Sequence, residues 1–138
     1  MSVTWSNSQD QIDWSELESL YRLAPLGNKS AEHLRTVFTN SRFKFFAYEN
    51  GRLVGAGSML EQTRQCLRNI ERCLAAAGAT MADVVWTTVY TVDMREFREI
   101  VSAREEFARD HLPTSTMVEV NHLSEPGLLV EIQAIAAI

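Results

Sequence analysis

The sequence predicts an α+β fold: a single mixed β-sheet of five or six strands with helices on both faces, in the order β-α-α-β-β-α-β-α-β-β. Three observations predict it. In FKFFAYENGRLVGAG, two strand-like runs are joined by Asn50-Gly51, a pair that tolerates the positive φ angles of a tight hairpin. EQTRQCLRNIERCLAAAG repeats its apolar residues with a helical period. DVVWTTVYTV is apolar on both alternations, with Trp86 and Tyr90 on one side and Val85 and Val89 on the other. A strand of that kind is expected to be covered on both faces.

Taken in order, VTWSN reads as a short first strand. Asp13 with Glu16 opens a helix whose apolar face is Trp14, Leu17, Leu20 and Tyr21, and Pro25 and Gly27 stop it. Ser30 caps a second helix carrying Leu34, Val37 and Phe38. The hairpin follows. The third helix begins at Glu61, faces inward with Cys66, Leu67, Ile70, Cys73 and Leu74, and ends at Gly78. After the 84–92 strand, Asp93 with Glu96 opens a fourth helix with Phe97, Ile100, Val101 and Phe107 on one face, and Pro113 lies beyond its end. TSTMVEV and LLVEIQAIAAI are the last two strands.

The bulk properties narrow the function. A chain of 138 residues, 46% hydrophobic and 22% charged, is sized for one domain and holds no apolar run long enough to span a membrane. The start MSVTWSNSQD lacks the basic head and apolar stretch of a signal peptide, so a cytoplasmic location is expected. The net charge of -5 argues against a nucleic-acid partner. The charge is uneven: residues 1–60 are balanced, whereas residues 61–138 hold 7 Arg and no Lys against 12 acids. Cys66 and Cys73, two helical turns apart, are too distant to form a disulfide and read as reduced thiols. His33, His111 and His122 have no ligand spacing, so no metal and no cofactor is expected. Gly55 and Gly57 are no phosphate loop, because Leu60 stands where a third glycine is required.

Two resemblances emerge from these stretches. Residues 61–138 resemble the C-terminal part of the Rid (YjgF/Yer057c/UK114) family through EQTRQCLRNIERCLAAAGA, DVVWTTVYTVDM, LPTSTMVEV and LLVEIQAIA. That resemblance implies trimers with ligand pockets between subunits, and, in the best-known members, hydrolysis of reactive enamines and imines to ketoacids and ammonia. Residues 1–58 resemble the N-terminal part of a GNAT acyltransferase through the β-α-α-β-β order, PLGNKSAEHL and FFAYENGRLVGAG. The acyl-CoA loop of that family is absent.

The reading that follows is a chimera, recombined or engineered as a de novo protein. It is one domain of two segments, 1–60 and 61–138, meeting near Ser58 to Leu60 and retaining no intact catalytic site. Its alternatives are a Rid-type deaminase or small-ligand binder with a degenerate site, and a truncated acyltransferase retaining weak acyl-CoA binding. As a chimera it is expected to be a monomer or dimer, with a Rid-like trimer as the rival state.

The candidate site residues come from the Rid resemblance. Its arginine, in the pattern P-x-R-S-x-V-E-V, clamps a substrate carboxylate; here Pro113 to Val120 align with that pattern and Ser115 occupies the arginine position. The family's water-positioning acid falls on Glu131. Glu119, Cys66 and Cys73 read as structural. A Ser-His pair between Ser115 and His111 or His122 is the remaining nucleophile reading.

Overall fold

The structure, a computed structural model, describes residues 3–24, 28–41, 44–108, 111–125 and 127–138. Pro25, Gly27 and Phe43 lie outside these residues, so the expected stop of the first helix does too. The strands and helices follow the expected order: β1 (Val3–Ser6), α1 (Trp14–Leu23), α2 (Ala31–Asn40), β2 (Lys44–Glu49), β3 (Arg52–Ser58), α3 (Met59–Ala76), β4 (Val84–Thr91), α4 (Phe97–Ala108), β5 (Thr114–Glu119) and β6 (Val130–Ala136). Short 3₁₀ turns precede β4 and α4. The elements form two compact units, Met1–Ser58 and Met59–Ile138.

The first unit is a three-stranded antiparallel sheet, β1-β2-β3, with α1 and α2 packed on it. Asp13 caps α1 by accepting from the backbone N–H groups of Ser15 and Glu16, and Ser30 caps α2 through His33 N–H. Glu16 does not complete a capping box; its Oε1 accepts from Leu53 N–H at 3.2 Å and ties α1 to β3. Asn50 and Gly51 both take positive φ, 52° and 77°, as the hairpin requires. Leu17, Tyr21, Leu34, Phe38, Phe46 and Leu53 close into one core, in which the Phe38 and Phe46 rings lie 5.2 Å apart.

The second unit is a mixed sheet in the order β5-β4-β6, with β5 parallel and β6 antiparallel to β4. Gly78, at φ 77°, ends α3 in a Schellman arrangement: Ala79 N–H donates to Leu74 O at 2.8 Å and Gly78 N–H to Ala75 O at 3.1 Å. Buried Thr87, Val89 and Thr91 form the face of β4 beneath α3 and α4. Met59, Leu67, Ile100, Ala103, Val84, Leu129 and Val130 are buried with them.

Four expectations are corrected. The strands form two three-stranded sheets rather than one sheet of five or six. The second sheet is not covered on both faces either, since Trp86, Val118 and Ile135 on its other side are 41%, 39% and 53% exposed. Alternation identifies a strand but not its neighbours, and aromatic or β-branched residues suit an open face as well as a buried one. The third helix starts two residues early, at Met59, directly from β3. Its inward face is also shifted: Met59, Glu61, Thr63 and Leu67 are buried, Cys66 is half-buried and Cys73 exposed.

Candidate functional site

Ser115 and Glu131 both lie in the second unit, and the sheet register separates them. Ser115 pairs with Thr87 and Glu131 with Tyr90. Paired residues share a face and neighbours along a strand alternate, so residues 87 and 90, an odd step apart, present opposite faces. Ser115 belongs to the helix-covered face and Glu131 to the open one. One copy of this unit does not aim both side chains at a single small molecule.

Around Ser115 the structure assembles a polar cluster that reading along the chain did not reveal. The Ser115 and Thr87 hydroxyls are hydrogen-bonded at 2.9 Å, and Arg104 of α4 donates from Nη2 to Thr87 Oγ1 at 3.2 Å. Thr87 is 4% exposed while Ser115 reaches solvent. Burial holds the Arg104 guanidinium below its ordinary pKa. Beside it a cavity of about 30 Å³ is lined by Thr87, Arg104, His111, Leu112 and Pro113 among others. The His111 ring engages Val84 O through Nε2 at 2.9 Å and Ser115 engages Thr87, and among the described residues no hydrogen bond joins the two. The parallel ladder supplies the Thr87–Ser115 contact, and no local pattern announces it. The Arg104 contact needs α4 laid across β4.

Glu131 is exposed on β6, an edge strand, and borders an apolar groove of about 480 Å³ between β6 and α3 that includes Cys66, Cys73, Ile70 and Leu74. Burial, then the Glu131 charge, raises the Cys66 thiol above its ordinary pKa, and its Sγ–H points to Val130 O at 3.7 Å. Such a thiol stays protonated and is a poor nucleophile.

Gln62 is the residue the sequence reading passed over. Its Nε2 donates to Gly127 O and its Oε1 accepts from Leu129 N–H, both at 2.8 Å, which fixes the segment leading into β6 and with it the height of Glu131. A glutamine in the first turn of an amphipathic helix gives no signal for that role. Glu119 is structural: its Oε2 accepts from Met94 N–H at 2.6 Å. Among the described residues no cluster of His, Cys, Asp or Glu has the makings of a metal site, and no helix is long and apolar enough to cross a membrane.

With this geometry in hand, comparison with known proteins identifies its relatives. A sequence model of the family described as "Endoribonuclease L-PSP" matches residues 36–138. A RutC family protein of Pyrococcus horikoshii is 40% identical over 80 residues, which cover 58% of this chain and 63% of that protein. The 2-iminobutanoate/2-iminopropanoate deaminase of Escherichia coli K12 is 36% identical over 78 residues, 54% of this chain and 60% of the enzyme. Among solved structures, a YjgF/YER057c/UK114 family member from Mycobacterium tuberculosis superposes with a TM-score of 0.58 at 45% identity, covering 61% of this chain and 72% of that one. The chain thus spans less than two thirds of both curated relatives.

These findings overturn the chimera of two unrelated segments. The family match begins at residue 36, takes in the β2–β3 hairpin and runs unbroken through the expected join at 58–60. The hairpin misled because its residues answer a demand of backbone geometry: any fold that needs a two-residue turn with positive φ selects Asn-Gly. The chain belongs to the endoribonuclease L-PSP family, the YjgF/YER057c/UK114 or Rid group.

Proposed function

We propose that this chain is a Rid-type hydrolase of reactive enamines or imines, converting the C=N of a small 2-imino acid and water into a 2-oxo acid and ammonia. The observation that carries this reading is the continuous family match over residues 36–138, with relatives named 2-iminobutanoate/2-iminopropanoate deaminases. Glu131 is the acid that positions the attacking water, on the exposed edge of the sheet where water is at hand.

The opposed faces of Ser115 and Glu131 support a site shared between copies, as the Rid resemblance implies. A trimer lets one copy supply the Ser115 side of a pocket and the next its Glu131. The nuclease chemistry in the family's description has less support, because residues 61–138 carry 7 Arg and no Lys against 12 acids, a poor surface for phosphates.

Ammonia release from freshly generated 2-iminobutyrate tests the reading. The expected result is acceleration over buffer that falls about 100-fold or more in Glu131→Ala, the usual worth of a positioned acid or base. No acceleration, or full activity in Glu131→Ala, overturns it. Light scattering of the same samples is expected to give three times the monomer mass.

A further inference from the structure

We propose that Arg104 is the carboxylate anchor of this chain, offered from α4 through the Thr87–Ser115 hydroxyl pair to the carboxylate end of a small 2-oxo or 2-imino acid. The inference rests on the hydrolase reading for the identity of the acid, but the anion site stands on its own geometry.

Arg104 is half-buried, and its only partner among the described residues is the neutral hydroxyl of Thr87. Arg64, on the neighbouring helix, shows the usual arrangement: it is held between Glu61 at 2.8 Å and Glu106 at 2.5 Å. A guanidinium partly withdrawn from water with no anion beside it carries a desolvation cost that an incoming anion would offset. Of its five N–H donors, Arg104 spends one on Thr87. No other hydrogen bond from it is found among the described residues, and its planar fork suits two-pronged binding of a carboxylate, the geometry that distinguishes arginine from lysine.

The surroundings set the ligand's size and direction. The cavity of about 30 Å³ beside Arg104 admits a carboxylate and little more, and apolar Leu112 and Pro113 form part of its wall. Ser115 is exposed and is tied to this wall through its hydrogen bond with Thr87, which puts a second hydroxyl on the solvent side of the cluster. A compact acid therefore enters carboxylate first and leaves its reactive carbon outside. The serine at position 115 is what makes this possible, since an arginine there would bring a second guanidinium against Arg104 across the Thr87 hydroxyl.

Calorimetry of the intact chain with 2-oxobutyrate, and with 2-oxobutyramide as the uncharged control, tests the proposal. Expected are saturable binding of the acid only, about tenfold or more weaker in Arg104→Gln, the loss due when a charge-assisted pair is removed, and recovered when Ser115→Arg is added to Arg104→Gln. Arg104→Met, similar in length and free of charge, replaces the glutamine variant if urea unfolding shows that it does not fold. Equal binding by wild type and Arg104→Gln, equal binding of the amide, or no binding by wild type overturns the anchor. Turnover of 2-iminobutyrate is read separately. Arg104-dependent binding without turnover supports the anchor and counts against the hydrolase, whereas turnover with an unchanged KM in Arg104→Gln counts against the anchor alone.

Discussion

The hydroxyls of Thr87 and Ser115 meet at 2.9 Å across the parallel β4–β5 ladder, one 4% exposed and the other open to solvent. The pair is asymmetric, and so are the expected effects. Thr87→Val removes the acceptor of the half-buried Arg104 as well as the partner of Ser115, and should cost about 1–2 kcal/mol in urea unfolding. Ser115→Ala should stay within about 0.5 kcal/mol, because water replaces what is lost at an exposed site.

The two cysteines should differ in reactivity. Cys73 is exposed, whereas Cys66 is half-buried and its thiol is held above the ordinary value by burial and by the Glu131 charge. Alkylation by iodoacetamide at pH 8, followed by mass spectrometry, should label Cys73 first. Glu131→Gln should speed labelling of Cys66 and leave Cys73 unchanged. Equal rates at both positions in the wild type would remove the groove's claim to a charged rim.

Glu99 should make stability fall as pH rises through the mildly acidic range. Its carboxyl is half-buried, Oε2 has no hydrogen-bond partner among the described residues, and burial raises its pKa above 4.5, offset in part by the N–H of Leu60. The folded state therefore holds this proton more tightly than the unfolded chain does. The contribution is fully present below the ordinary carboxylate value and is lost as pH climbs through the raised one. Glu99→Gln, permanently neutral, should be more stable than wild type at pH 7, with the advantage shrinking toward pH 4.

Phe38 should be the most costly truncation in the first unit. It is fully buried, 5.2 Å from the Phe46 ring and 6.5 Å from Trp14, so alanine leaves a void that α2 cannot close without breaking its contact with β2. A loss of about 3–5 kcal/mol is expected in thermal or urea unfolding. Leu23→Ala, at a side chain 80% exposed on α1, should change almost nothing.

The features legible along the chain are local. The helices and strands among the described residues stand in the expected order, the caps at Asp13, Ser30 and Gly78 do what their residue types allow, and Asn50-Gly51 makes the hairpin. The likeness of residues 61–138 to the Rid family was also legible, since EQTRQ and LLVEIQAIA are contiguous stretches. All of these signals act over a few residues, within reach of one turn of helix or one hairpin.

Which strands are neighbours, which face of β4 is covered and what surrounds Ser115 follow from contacts made at long range in the fold. Arg104 and Thr87 are 17 residues apart and meet because α4 crosses over β4; Gln62 reaches Leu129 across 67 residues because β6 returns beside α3. Ser115 and Glu131, the two candidates from the family resemblance, are set on opposite faces by a register that no single strand carries in its own pattern. Side-chain alternation is a property of one strand, but the face that meets water is chosen by everything packed against it.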